Sequence, residues 1–137
     1  MRHWLLKSEP DAFSWRQQVA HGVEPWTGVR NHAAKRNLME MRRGDRALFY
    51  HSNLGKEIVG IVEVVREAYP DPTAEAGGWV AVDVRTIGAL PKPVPLSAIK
   101  ADPAFADFAL VRQSRLSVMP VSLSHWRKLL AMGGFRA

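Results

Sequence analysis

Two stretches decide how this chain reads: Trp4-Leu5-Leu6-Lys7-Ser8-Glu9-Pro10, and further on Trp26-Thr27-Gly28-Val29-Arg30-Asn31. The first contains a short strand over residues 2–7, stopped by Pro10, which pushes Glu9 away from helical angles. The second completes a Gly- and Pro-bounded connection, residues 22–28, and leads into a helix. Set side by side, they offer a strand end with free polar groups, an indole and an arginine. A flat heterocycle fits such a set: its edge meets the polar groups, its face the indole, and an attached phosphate the cation.

The rest of the chain builds outward from these segments. Ser14-Trp15-Arg16-Gln17 has capping-box spacing and predicts a short helix to about Ala20, closing near Gly22. A second helix is expected over 29–41, with Val29, Ala33, Ala34, Leu38 and Met41 inward and His32, Lys35, Arg36 and Arg43 outward. Arg46 to Ser52 reads as a strand, and Asn53-Leu54-Gly55-Lys56 as a hairpin turn. Glu57 to Glu67 is a long β-branched strand in which Gly60 marks a bulge or a close backbone approach. Residues 69–78 read as a loop, and 79–87 as an alternating strand with Val80, Val82 and Val84 on one face. Pro91, Pro93 and Pro95 are expected to interrupt the chain beyond it, before a helical turn at 96–101. A last strand at 115–119 precedes a terminal amphipathic helix from Ser122 to Met132, stopped by Gly133-Gly134. The fold class is α+β, an open or pseudo β-barrel of five to six mostly antiparallel strands with flanking helices.

At 137 residues the chain is expected to form a single domain, 1–137. A chain of this length buries roughly 65–70% of its unfolded surface and needs no staples. It has no cysteine, which excludes disulfides, thiol chemistry and cysteine-based zinc sites. The five histidines show no His-x-His or His-Glu-x-x-His spacing, so no metal and no cofactor is expected. No apolar run approaches the ~20 residues of a membrane span, and the first residues lack a signal-peptide pattern. A reducing, cytoplasmic setting and a monomer are the expectation. Nineteen Lys and Arg against 13 Asp and Glu give a net charge of +6. Thirteen of the nineteen are arginine, whose planar fork suits phosphates and base edges. Nucleic acid, DNA or RNA, is the expected partner.

The segments 4–11 and 26–31, Gly44-Asp45 with Phe49-Tyr50-His51-Ser52, Ile58-Val59-Gly60-Ile61, Tyr69-Pro70-Asp71, the 79–84 strand and Arg115-Leu116-Ser117-Val118 run in one order along nearly the whole chain. In that order they resemble the EVE domain, a branch of the PUA-like superfamily related to the YTH readers of methylated adenine and to ASCH domains. The resemblance implies a pseudo-barrel with a pocket that receives a modified nucleobase flipped out of its strand. The related readers place a cage tryptophan where Trp26 stands and use the equivalent of the Lys7-Ser8 step in the pocket.

A base reader needs an aromatic face, edge-directed donors and acceptors, and phosphate anchors. Trp26 is the expected face; a loop-anchoring core residue is its plain alternative. Lys7, Ser8 and Glu9 are expected at the base edge, where a carboxylate can accept from an exocyclic amine. His51 and Ser52 are expected to complete the polar rim, with Tyr69 as a second wall, alongside Tyr50 and His51 as candidates for it. Arg30 and Asn31 begin the second helix, where free N–H groups favour an anion, and Lys35 and Arg36 extend that basic face along a backbone. Asn31 reads equally well as a helix cap. The expected function is a non-catalytic reader of a modified base. Two alternatives stand beside it: an ASCH-like hydrolase of a modified nucleoside or RNA using Lys7 and Glu9, and a basic RNA-binding domain without a specific pocket.

Overall fold

The computed structural model describes residues 1–136. In chain order the elements are β1 (His3–Ser8), α1 (Trp15–His21), β2 (Val23–Trp26), α2 (His32–Glu40), β3 (Arg46–His51), β4 (Glu57–Pro70), β5 (Val80–Pro95), α3 (Leu96–Ala101), α4 (Ala109–Arg112), β6 (Val118–Val121) and α5 (Leu123–Gly133). The strands form one sheet ordered β2-β5-β4-β3-β1-β6. Among the described residues only β1 and β3 run parallel; the other pairs are antiparallel. β2 and β6 end the order without meeting, so the sheet is open, as the sequence led one to expect.

β1 lies between β3 and β6, and its Trp4, Leu5 and Leu6 are wholly buried. A strand covered on both faces reads as a continuous apolar run rather than an alternation. Trp4 also anchors a polar clasp. Asp45 accepts hydrogen bonds from the Trp4 Nε1–H, the Arg2 N–H and the Arg42 N–H, each at 3.0 Å. Burial alone would raise the Asp45 carboxyl, but these donors hold it below its ordinary value. Trp4 is therefore a core residue.

β4 and β5 pair along their length through four register shifts, each adding local twist that curls the sheet. Gly60 is both things expected of it. The register shifts beside it, and a Cβ at this position would fall inside the Trp15 indole.

Several expectations need correction. The connection 22–28 contains a strand, β2, paired with β5 so that Pro25 faces Asp83 and Trp26 faces Val82. Proline is tolerated there because β2 is the sheet edge. β5 also runs through Pro91, Pro93 and Pro95 rather than stopping. Leu96 N donates to Lys56 O at 2.9 Å, so the N–H position of Pro95 beside it points away from β4. Pro91 and Pro93 fall in the register shift between Ala89 and Val94, where β4 offers no paired residue and no ladder bond is lost. The last strand begins at Val118, because Leu116 N bonds back to Gln113 O and holds the preceding residues in a turn. α2 starts at His32, since Asn31 caps it: its Oδ1 accepts from Ala34 N at 2.9 Å. α1 and α5 match their predicted caps, Ser14 with Gln17, and Ser122.

Candidate functional site

The exit of β1 and the end of β2 converge on a hollow of about 640 Å³, within the roughly 300–1,000 Å³ usual for small-ligand sites. Lys7, Ser8 and Glu9 line one side; Pro25, Trp26, Thr27, Gly28 and Val29 line the other, with Arg30 and Asn31 at the rim. The structure thus brings together six of the residues singled out in the sequence. Phe13, Ala12, Glu24 and Ser117 complete the wall.

Trp26 is held firmly. Only 7% of its surface is exposed, and Phe49 and Phe13 pack edge-on against it at 5.5 and 6.2 Å, with interplanar angles of 87° and 84°. Perpendicular packing is a preferred aromatic arrangement. The indole is a fixed part of the wall rather than a free-standing loop residue. Phe13 is the second aromatic of the hollow, and sequence reasoning missed it. The signal was present: Ser14 fixes the start of α1, which sets the residue before it beside the strand exit.

The backbone at the strand end is less open than expected. Lys7 N donates to Ser117 O and Ser8 O accepts from Ser52 N, both at 2.9 Å. Ser8 Oγ donates to Phe13 O, leaving the hydroxyl oxygen free to accept. Lys7 Nζ donates to Ser114 O at 2.8 Å, and burial lowers its pKa from the usual lysine value.

On the far side, one side chain organises the wall. Asp71, whose side chain is wholly buried, accepts from Gly28 N at 2.8 Å, Arg30 Nη1 at 2.9 Å, Thr73 N at 2.8 Å and Thr73 Oγ1 at 2.7 Å. Burial acts to raise its carboxyl, but the hydrogen bonds from Thr73, Gly28 and Arg30 outweigh it and hold the group well below the usual carboxylate range. Gly28 sits at φ +82°, a left-handed conformation that side chains disfavour. This lets its N–H turn toward Asp71. Arg30 is therefore tied to Asp71 and to Thr73 Oγ1 at 3.2 Å, with other N–H groups left to donate. It lies before α2, not within it. The Tyr69-Pro70-Asp71 motif contained this residue, but nothing in the sequence shows which strand crosses beneath which loop.

The remaining candidates stand elsewhere. His51 does not line the hollow; its Nε2 accepts from Trp15 N at 2.9 Å behind Phe49, and burial lowers its pKa while Glu57 opposes that. Ser52 faces a separate cavity of about 220 Å³ with Lys56 and Lys100. Tyr50 is buried and lines that same cavity. Tyr69 donates its phenol to Asp83, and burial, with that hydrogen bond, pushes it up to about 12. It and Lys35 line a second hollow of about 420 Å³ on the other side of the Asp71 loop. Arg36 is exposed on α2 and lies outside the main hollow. Among the described residues no group of three His, Asp or Glu could hold a metal, and no helix is long and apolar enough to cross a membrane.

Known proteins share this fold. A Rhodopseudomonas palustris protein solved by NMR is 57% identical, with 98% of this chain and 94% of that one covered at a TM-score of 0.92. Thymocyte nuclear protein 1 of Gallus gallus is 34% identical over 95% of this chain and 68% of its own length. Human THYN1, crystallised in complex with 5-methylcytosine-containing DNA, is 28% identical, covers both chains fully and superposes with a TM-score of 0.91. The EVE domain profile matches residues 2–132. With that match and a hollow built from the motif residues themselves, this chain belongs to the EVE domain family.

Proposed function

We propose that this protein is a nucleic-acid-binding module that reads a modified nucleobase extruded into the hollow between β1 and β2, and that it does so without catalysis. The observation that carries the reading is the convergence of Lys7, Ser8, Trp26 and Arg30 on one cavity of ligand size. Its support is the likeness, over the whole of this chain, to the human THYN1 chain solved with 5-methylcytosine-containing DNA. A 5-methylated cytosine is accordingly the first modified base to try.

The chemistry of the wall suits such a ligand. Pro25, Trp26, Val29 and Phe13 form an apolar side where a methyl group loses water without losing a hydrogen bond. Glu9 and the free lone pairs of Ser8 Oγ offer acceptors for the exocyclic amine that cytosine carries. Asn31 uses its side-chain oxygen in the helix cap, so its Nδ2 remains a donor at the rim. Arg30, pre-set by Asp71, takes the phosphate of the extruded nucleotide, while Lys35 and Arg36 lie outside the hollow and can meet only the strand beyond it. Trp26 contributes the aromatic surface the base packs against.

The hydrolytic alternative rests on Lys7 and Glu9. Burial lowers Lys7, as a base would require, but its amine is directed to the Ser114 carbonyl. Glu9 is exposed, where a carboxylate keeps its water. A held lysine and a solvated acid favour contact over turnover. A reader of this kind needs no oxidising compartment, in keeping with the cytoplasmic setting expected from a chain without cysteine.

The test is equilibrium binding of the protein to single-stranded oligonucleotides that differ only in one central cytosine or 5-methylcytosine, together with product analysis. Tighter binding of the methylated strand, with the strand recovered unchanged, is expected. Equal affinity across a panel of modified bases removes the reading, and release of a nucleoside or base product replaces it with the hydrolase.

A further inference from the structure

The second hollow lies on the other side of the loop that carries Asp71, and its chemistry differs from that of the first. The main hollow is charge-balanced, with Lys7 and Arg30 against Glu9 and Glu24. The second is lined by Lys35 and Arg42 against one carboxylate among the described residues, Glu67, whose Oε2 already accepts the Arg43 N–H at 3.2 Å. Arg66 adds a further cation, its guanidinium 3.7 Å from the centre of the Tyr69 ring. Within this basic rim stands Trp79, half-buried, with the His32 ring stacked on it at 5.0 Å and 26°. Lys35 Nζ lies 5.9 Å from the indole centre and Arg30 Cζ 5.8 Å.

The two hollows are mechanically joined. Arg30 lines the first and approaches the indole of the second. Asp71 holds Gly28 and Arg30 with its carboxylate while its main-chain N–H donates to Trp79 O at 2.9 Å. One residue therefore sets the relative position of Trp26's connection and Trp79's strand start. A strand that places one base in the first hollow must carry its adjoining nucleotides across the surface nearby. A basic groove with an indole is the kind of surface on which single-stranded nucleic acid stacks without sequence preference.

We propose that the second hollow is a stacking subsite for a nucleotide flanking the extruded base, with Trp79 as the platform and Lys35 and Arg42 as the phosphate contacts. This rests on the base-reading proposal for where the strand enters, but its own chemistry is that of any single strand. It assigns Tyr69 to the flank rather than to the base itself, and gives the phosphate contact expected of Lys35 to that flank.

The experiment compares two probes on the full chain: 5-methylcytidine 5′-monophosphate, which fills only the first hollow, and a single-stranded oligonucleotide with 5-methylcytosine at its centre. Trp79→Leu keeps an apolar side chain at the strand start, and K35Q/R42Q alters two positions on the rim. Trp79→Leu is expected to weaken the oligonucleotide roughly 5- to 100-fold and to leave the mononucleotide unchanged. K35Q/R42Q is expected to lower the salt dependence of oligonucleotide binding by about two phosphate contacts, again sparing the mononucleotide. Oligonucleotide affinity equal to the parent's in both variants overturns the subsite, and so does an equal loss on both probes, which marks damage to the first hollow instead. Should the parent show no preference for methylated strands while both variants still lose oligonucleotide affinity, base reading fails and the flanking subsite stands.

Discussion

Arg30 lines the hollow of Trp26 and approaches the indole of Trp79, and Asp71 ties together the segments that carry them, yet the molecule treats the two tryptophans in opposite ways. Trp26 is almost wholly buried and braced edge-on by two phenylalanines. Trp79 is half-buried, and its visible neighbours are a stacked imidazole and two cations. A braced aromatic gives shape to a cavity, because it cannot retreat when a ligand enters. A half-exposed one among cations offers area to whatever polyanion crosses it. The same residue type therefore serves selectivity in one place and general affinity in the other, and the difference lies in packing rather than in chemistry.

The comparison breaks most visibly at Trp26. Trp26→Ala is expected to cost about 3–5 kcal/mol of stability, measured by denaturant unfolding, because Phe13 and Phe49 lose their shared partner. Trp26→Phe is the gentler probe of binding; a variant as stable as the parent after Trp26→Ala would show the indole to be a surface residue. Asp71→Asn attacks the link between the two tryptophans. It removes the charge from a buried acceptor of four hydrogen bonds, and a loss of about 2–3 kcal/mol is expected, with oligonucleotide binding weakened as Arg30 is released. Retained stability with lost binding would mean that Asp71 serves Arg30 alone.

Gly28→Ala is a sharper probe of the same connection. No atom lies within 4 Å of the added methyl, so the cost is conformational and expected at about 1–2 kcal/mol. An acid titration separates the hollow from its supports. His51 accepts from Trp15 only when neutral, and burial depresses its folded pKa below the ordinary 6.5. The unfolded chain then binds the proton first, so this contribution is complete above 6.5 and is lost as pH falls through the folded value. His3 carries the same sign, from burial first. Asp71, also depressed when folded, adds a further loss in stronger acid. Unfolding measured from about pH 7 to 5 should decline in the parent and decline less in His51→Gln, which keeps an acceptor for Trp15. Equal slopes would exclude His51 as the source. The smallest effect belongs to Arg36→Gln, expected within about 0.5 kcal/mol in stability and without change in mononucleotide affinity, since the residue lies outside the hollow.

How much of this was legible beforehand depended on whether the information was local. Ser14 with Gln17, Asn31 and Ser122 announce helix starts within four residues, and α1, α2 and α5 begin where those caps stand. Gly60 announced a close approach, though not that Trp15 makes it. The prolines misled because their effect depends on which edge of a strand faces a partner. Pro25 lies in an edge strand, Pro91 and Pro93 fall in a register shift where β4 offers no partner, and Pro95 has its missing N–H facing away from β4. At the site, Lys7, Ser8, Glu9, Trp26, Arg30 and Asn31 were readable because their motifs flank the same crossing of chain. Phe13 was marked only indirectly, by the helix start at Ser14, and Asp71 not at all, because its role arises from contacts with residues far away along the chain. His51, Ser52 and Tyr69 lie near the right strands but face other spaces, which no one-dimensional pattern distinguishes.

The proline in each marginal strand has a consequence for a sheet that never closes into a ring. Pro25 lies in β2 and Pro120 in β6, the two unclosed borders of the order. Open borders invite a neighbouring molecule to dock strand against strand and grow a fibre, and a missing donor at each one interrupts the continuous hydrogen-bond row such growth requires. The molecule can thus keep its flanks unsealed, leaving room for a ligand between strands, without becoming a template for its own polymerisation.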